Sequence, residues 1–187
     1  MFLLRRPSDE AISSLLKSQW QLPFTYEAAG DWSAPPRGYT IDHNRIRLGT
    51  GERVFKNAVE SISRWEMFNI AWLRLCWPDA PIEAGSTVAV LAHHFGFWSL
   101  HACRVVDVTD EDRKFGFTYG TLPEHAERGQ ERFTVEWRTE DDSVWYDILA
   151  YSRPNHLLAS LGYPMTRMLQ KRFARDSMRA MQRGVNT

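Results

Sequence analysis

The sequence predicts an α+β fold, a curved antiparallel sheet wrapped around a long C-terminal helix, which is the helix-grip arrangement. Three observations support it. A strand and a helix come first, a run of short strands follows from about residue 70, and the chain closes with an amphipathic helix. Short turns between strands favour antiparallel neighbours. Packing the apolar face of the last helix onto the concave side of the sheet gives both elements one core.

Length and composition indicate a single globular domain over residues 1–187. The chain is 43% hydrophobic and 25% charged, which is close to ordinary globular usage. We divide it into an N-terminal helix with an irregular arm (1–38), a sheet with an inserted helix (39–153) and the C-terminal helix (154–187). The 23 basic and 23 acidic residues cancel, which argues against nucleic acid as a partner.

The sequence also indicates a cytoplasmic protein without a transmembrane segment. Its two cysteines, Cys76 and Cys103, form no CxxC pair, so neither a disulfide framework nor a thiolate zinc site is expected. The apolar N-terminus is too short for a secretory signal, and its arginines follow the apolar patch instead of preceding it. Residues 84–103 lack Asp, Glu, Lys and Arg, but their histidines, glycines and β-branched residues fit two strands better than a membrane helix.

The first third of the chain is predicted to contain two helices, an irregular arm and a strand. Helical spacing of apolar residues behind Ser8, a favourable N-cap, places the first helix at 9–20. Residues 22–38 carry three prolines and two glycines, so we expect them to be irregular. A loosely alternating strand, 39–48, then leads into a tight turn at Gly49-Thr50-Gly51, capped by Thr50, and into a second helix that ends near Trp65.

From about residue 70 the pattern becomes that of strands. Turn-forming residues separate the predicted strands, which are 70–77, 87–94, 97–108, 114–121, 132–138 and 144–153.

The last element is predicted to be a helix from about Pro164 with two opposed faces. An apolar row of Met165, Leu169, Phe173, Ser177 and Met181 recurs every four residues, and a basic row of Arg167, Lys171, Arg175, Arg179 and Arg183 follows two positions later. Two positions correspond to about 200° of helix, so the rows lie on opposite sides. We expect the apolar row to pack onto the sheet and the basic row to face water.

Period-2 alternation along the strands predicts which side chains point inward. Several strands have one face rich in aromatic residues, and these faces are expected to line the interior. Arg104 and Glu131 lie in phase with such faces and are expected to enter the interior together, since neither charge is readily buried alone. Arg104 would then hold a ligand carboxylate in two-point contact. The candidate ligand-binding residues are Arg104, Glu131, Tyr119, Trp98, His94, Phe117 and Trp137.

No metal or cofactor site is expected from the sequence. His93 and His94 are adjacent on a predicted strand, so their side chains point to opposite faces and cannot bind one metal from that strand. The turn Gly49-Thr50-Gly51 lacks the third glycine and the parallel strand–helix–strand unit of a dinucleotide-binding motif. No GxSxG, HExxH or P-loop signature occurs.

Several short motifs, taken together, resemble one protein family. They are Tyr39-Thr40-Ile41-Asp42-His43 with Arg45 and Arg47, Leu48-Gly49-Thr50-Gly51-Glu52, Trp98-Ser99-Leu100 with Ala102-Cys103-Arg104, Phe115-Gly116-Phe117 running into Tyr119-Gly120-Thr121-Leu122-Pro123, Gly129 with Glu131-Arg132-Phe133, and Phe173-Ala174-Arg175-Asp176-Ser177. On these motifs the chain resembles the domain-of-unknown-function family numbered nineteen-ninety, of bacteria and plants. That family is similar to the birch-pollen-allergen-like, START and polyketide-cyclase-like superfamily, which implies a cavity between the sheet and the C-terminal helix, and it brings no catalytic residue with it.

These observations favour one function and leave two alternatives open. An aromatic cavity with a few polar groups is typical of a small-molecule site, so the leading hypothesis is a protein that binds a small, mostly apolar molecule. The first alternative is an enzyme acting on a bound ring compound, with Glu131, His94 or Tyr119 as acid or base. The second is a membrane-surface or protein-interaction module that uses the basic row. The sequence specifies neither the ligand nor the oligomeric state.

Overall fold

Within the residues that the computed structural model describes, 2–26, 32, 37–77, 79–155 and 163–186, eight strands form one antiparallel sheet. The strands are β1 (Phe2–Leu3), β2 (Thr40–Thr50), β3 (Leu73–Cys76), β4 (Thr87–His94), β5 (Phe97–Glu111), β6 (Lys114–Thr121), β7 (Glu127–Trp137) and β8 (Ser143–Pro154). Their order is β2-β8-β7-β6-β5-β4-β3, and β1 pairs with the start of β5.

The helices cover both faces of this sheet. The described part of the chain contains α1 (Asp9–Gln19), α2 (Glu52–Ser63), a 3-10 helix (Glu66–Phe68) and the long α3 (Tyr163–Val185). α2, the 3-10 helix and α3 pack on the inner, concave face, and α1 packs on the outer face. This arrangement confirms the predicted α+β helix-grip fold.

The main core lies between the inner face of the sheet and the C-terminal half of α3. Phe117, Phe133 and Tyr146 are completely buried there, together with Met181 of α3. The Tyr146 and Ser177 hydroxyls lie 3.0 Å apart, so the polar tip of the buried tyrosine has a partner. Side chains of the sheet and of α3 pack against one another in this half of the molecule.

The two faces of α3 agree with the predicted rows along most of the helix, with two corrections. Ser177 and Met181 are fully buried, and Lys171 is exposed. Met165, however, is 44% exposed, because the first turn of the helix lies at the rim of the sheet. Arg167 does not face water freely, since its guanidinium forms an ion pair with the Asp42 carboxylate of β2.

The basic row of α3 surrounds one carboxylate. Carboxylate oxygens of Asp176 lie 3.5 Å from Nε of Arg175 and 3.9 Å from a terminal guanidinium nitrogen of Arg179, both in this row. Nε of Arg172, which lies outside the row, is also 3.5 Å away. These exposed pairs contribute little to stability, but they reduce the net positive charge that the row presents. The membrane-surface hypothesis therefore stays a prediction, which flotation with anionic liposomes at low salt would test.

Several element boundaries differ from the predicted ones. β3 begins at Leu73 and not at residue 70, and β5 extends to Glu111 and not only to residue 108. β7 begins at Glu127 and not at residue 132, because Gly129 interrupts the apolar alternation by which the strand was recognised. The N-cap of α2 is Gly51 and not Thr50. Ser8 caps α1 as predicted, with its hydroxyl accepting a hydrogen bond from the Ala11 amide at 3.2 Å.

The inward parity predicted for β5 is wrong. Leu100 of this strand packs with Ile12 of α1 in a second, smaller core on the outer face. The opposite parity, which includes Ser99 and Cys103, points into the interior. Both faces of β5 are buried, so alternation alone cannot identify the inner one.

Arg104 lies on the outer face of the sheet, where its hydrogen bonds join α1 to β5. Its guanidinium donates hydrogen bonds to the backbone carbonyls of Gln19, at 3.0 Å, and Trp20, and it lies 5.4 Å from the ring centroid of Phe24. Carbonyls at a helix C-terminus lack partners within the helix and favour a cation. The residue therefore caps α1 and does not meet Glu131.

Replacing Arg104 with alanine is expected to lower the free energy of unfolding by about 2 kcal/mol, because charge-assisted hydrogen bonds to α1 are lost. Arg74→Ala is the matched control: its exposed ion pair with Asp9 also joins α1 to the sheet, and we expect a loss of about 0.5 kcal/mol or less. Urea unfolding measures both variants. Equal losses would show that Arg104 contributes only as a surface charge.

Candidate functional site

A cavity of about 580 Å³ lies between the inner face of the sheet and the N-terminal half of α3. Strands β2 to β8 and the 3-10 helix contribute to its wall, and Leu169 and Phe173 of α3 cover it. It exists because the larger core side chains fill only the other half of the concave face. The predicted site residues fall into three groups relative to this cavity.

Glu131 and Tyr119 lie in the cavity wall and bind each other. They are opposite residues on β7 and β6, and the Tyr119 hydroxyl donates to Oε2 of Glu131 at 2.7 Å. Burial raises the pKa of Glu131 to about 7, the Tyr119 hydrogen bond opposes this shift, and the negative charges of Glu127 and Asp42 add to it. Burial, followed by the nearby Glu131 charge, raises the pKa of Tyr119 well above its ordinary value. The site thus contains a half-buried carboxyl whose pKa is raised toward neutral pH.

His94 lies elsewhere in the wall and belongs to a group of imidazoles. The Ser99 hydroxyl is 3.1 Å from Nε2 of His94 and 2.9 Å from Nε2 of His101. Burial lowers the pKa of both histidines, most strongly that of His101. A hydroxyl has one hydrogen to donate, so Ser99 can donate to only one of these two neutral rings, and at least one ring donates its Nε2–H to the Ser99 oxygen.

His125 completes this group from the connection between β6 and β7. Its ring centroid lies 4.7 Å from that of His101, and burial lowers its pKa to about 3. In the part of the chain that the structure describes, no group of three or more His, Cys, Asp or Glu side chains has an arrangement that could hold a metal ion. His93 points to the other face, stacked 4.4 Å from Trp98, as the alternation predicted.

The other predicted site residues lie outside the cavity. Phe117 is fully buried in the main core, with its ring 4.8 Å from that of Trp65. Trp137 packs against Phe55 of α2, at 6.0 Å between centroids. α2 and the 3-10 helix occupy that part of the concave face, so these inward side chains meet helices instead of a cavity. Trp98 and Arg104 are on the outer face, where Trp98 contacts the Arg6 guanidinium.

A polar cluster at one edge of the cavity was not anticipated from the sequence. Gln170 of α3 donates to both oxygens of Glu127, at 2.6 and 2.7 Å, and to the Ser152 hydroxyl at 3.0 Å. Beside it, Arg167 binds Asp42. Burial raises the pKa of Glu127 to about 7, while the Gln170 hydrogen bonds oppose the shift. These residues come from β2, β7, β8 and α3, and no local motif links them.

The fold and this internal cavity define a helix-grip protein. Comparison with known proteins shows the family: the model described as "Domain of unknown function (DUF1990)" matches residues 25–180, so the chain belongs to this family. A UPF0548 protein of Dictyostelium discoideum is 33% identical over 100% of this chain and 97% of its own length. One of Deinococcus radiodurans is 34% identical over 99% of both chains.

A solved structure supports the fold alone. The Zhui aromatase/cyclase from Streptomyces sp. R1128 aligns with a TM-score of 0.50 at 10% identity, over 79% of this chain and 94% of that chain. Among the described residues, no helix combines the length and apolar character needed to cross a membrane.

Proposed function

We propose that the protein binds a small, mostly apolar molecule in the cavity between the sheet and α3. The observation that carries the proposal is the combination of a cavity of about 580 Å³ with a wall in which apolar side chains adjoin the Glu131 carboxyl, whose pKa burial raises. Small-molecule sites typically have this size and this balance of apolar area and few polar groups. Within the wall, Glu131 would fix the orientation of the ligand and the apolar side chains would supply affinity.

Native mass spectrometry of the protein purified from its own host tests the proposal most directly. We expect a fraction of the protein to carry one retained small molecule, lost on denaturation. Protein that is free of any adduct, together with no thermal stabilisation by a library of small apolar compounds, would contradict it.

A cavity-filling variant provides the mutational test. Ala150 of β8 lies opposite Glu131 and lines the cavity, so the Ala150→Leu side chain is expected to occupy ligand volume. We expect retention of the small molecule to fall at least tenfold, while stability changes by about 1 kcal/mol or less, because the added methyl groups enter empty space.

Ala71→Leu, at an exposed position outside the cavity wall, is the matched control and is expected to retain the molecule. Equal retention by Ala150→Leu and wild type would place the ligand elsewhere.

Catalysis on the bound molecule is the second candidate function, and the state of Glu131 favours it. A carboxyl with a pKa of about 7 accepts and donates protons readily near neutral pH. Incubating the retained molecule with wild-type protein and with Glu131→Gln, followed by mass spectrometry of the small molecule, tests this. Conversion by wild type alone supports catalysis, and recovery of the unchanged molecule from both supports binding alone.

A further inference from the structure

The Glu131 end of the cavity combines a half-buried acid with aromatic rings, and we propose that it selects small organic cations, an amine carried on an apolar, ring-bearing body. This inference rests on the proposed function and names its ligand class.

The charges around Glu131 leave it without a positive partner. In the described part of the chain, the Tyr119 hydroxyl is its hydrogen-bond partner, and a hydroxyl brings no charge. The ionisable groups that act on its carboxyl most strongly, Glu127 and Asp42, are acids. A carboxylate buried without a countercharge costs several kcal/mol, and a bound ammonium group would supply that countercharge.

Two basic residues of α3 lie in or beside the cavity wall, and among the described residues neither forms an ion pair with Glu131. Arg167 forms its ion pair with Asp42, and Lys171, which lies in the cavity wall, is exposed to solvent. Arg104, the residue expected from the sequence to receive a ligand carboxylate, lies on the outer face against α1. A ligand carboxylate would therefore meet like charge, which reverses the ligand class expected from the sequence.

The Tyr119 ring adjoins the carboxyl, and Phe68 and Phe173 continue the aromatic wall from it, which adds a second attraction for a cation. The Tyr119 ring carries the hydroxyl that binds Glu131 and stacks on Phe68 at 6.2 Å between centroids. Phe173 of α3 lies 5.5 Å from Phe68 on the side of the helix. All three residues line the cavity, and the faces of aromatic rings attract ammonium groups, most strongly where water is excluded. The apolar wall beyond them suits the body of the ligand.

Three probes of similar size and shape test the inference: 2-phenylethylammonium, 2-phenylethanol and phenylacetate. Isothermal titration calorimetry at pH 8, where Glu131 is mostly ionised, measures their affinities. We expect the ammonium to bind at least tenfold more tightly than the alcohol, and the carboxylate most weakly. Alcohol binding equal to or tighter than ammonium binding would overturn the cation inference and leave small-molecule binding in place.

Glu131→Gln separates the effect of the site from that of overall protein charge. This variant is expected to bring the ammonium and alcohol affinities within about threefold of each other. Glu140→Gln, which removes the same charge from an exposed turn, is expected to keep the preference of the wild type. A preference that survives in Glu131→Gln would overturn the role of Glu131. No binding of any probe at millimolar concentration would count against both the inference and the proposed function.

Discussion

Gly129→Ala is expected to lower the free energy of unfolding by more than about 4 kcal/mol, a loss that places it among the exceptional single substitutions. A Cβ at this position would lie 1.9 Å from the Tyr151 carbonyl oxygen and 2.9 Å from the Ser152 Cα. Both atoms belong to the backbone of β8, which pairs with β7 here, so the two strands would have to separate. The backbone φ of +150° is a further strain for a side chain.

The substitution is also expected to disturb the cavity, because Gly129 lies in the cavity wall between Glu127 and Glu131. Urea denaturation followed by tryptophan fluorescence measures the loss of stability. Gly85→Ala is the matched control: Gly85 also has a positive φ, +95°, but nothing lies within 4 Å of the added Cβ. We expect it to cost about 1 kcal/mol from backbone strain alone. A similar small loss for Gly129→Ala would show that β7 and β8 separate at little cost.

Glu131→Gln is expected to change the free energy of unfolding in a way that depends on pH. Above pH 7 the variant gains up to about 3 kcal/mol more stability, relative to wild type, than it does at pH 4.5. Burial raises the pKa of Glu131 from 4.5 to about 7. The folded wild type therefore binds more protons than the unfolded chain between these two pH values. The stability contributed by this group is fully present below pH 4.5 and is lost as the pH rises through 7. Glutamine remains neutral and avoids that loss.

Urea unfolding of wild type and Glu131→Gln at pH 4.5 and pH 8 tests this expectation. His125, whose pKa is lowered, changes stability with pH in both proteins, so its effect cancels in the difference. The negative charge of Glu127 acts on Glu131, so the difference between the two proteins includes this interaction. Glu140→Gln, at an exposed turn, controls for the loss of a carboxylate. A stability difference that does not vary with pH would show that Glu131 is already solvated in the folded protein.

Local patterns in the sequence were sufficient for the order of helices α1 to α3 and strands β2 to β8, but they did not predict β1 or the 3-10 helix. The spacing of Ser177 and Met181 identified the buried face of α3, and both are completely buried. On β6 and β7 the alternation correctly placed Tyr119 and Glu131 on the inner face, since the other face of these strands carries polar residues and gives a clear contrast. The family resemblance, carried by motifs spread along the chain, was confirmed by the match over residues 25–180.

The candidate site was only partly predictable. Period-2 alternation predicts Arg104 to point inward because Leu100 and Ala102 share its parity and are apolar, but α1 buries that face from the outside. The neighbouring residues of opposite parity, Ser99 and His101, line the cavity instead. Phe117 was correctly placed on the inner face, yet the 3-10 helix and its flanking Trp65 fill the space in front of it.

The sequence by itself determined the order of helices α1 to α3 and strands β2 to β8, the amphipathic last helix and the presence of an acid on the inner face of β7, because these depend on periodicities of two and 3.6 residues within single segments. Only the tertiary structure decided which face of β5 is the inner one and which part of the concave side remains open as a cavity. It also decided that Gln170 contacts Glu127. Those outcomes depend on contacts between segments far apart in the chain. The charge balance of the cavity, and with it the ligand class that we infer, follows from these long-range contacts and not from any motif.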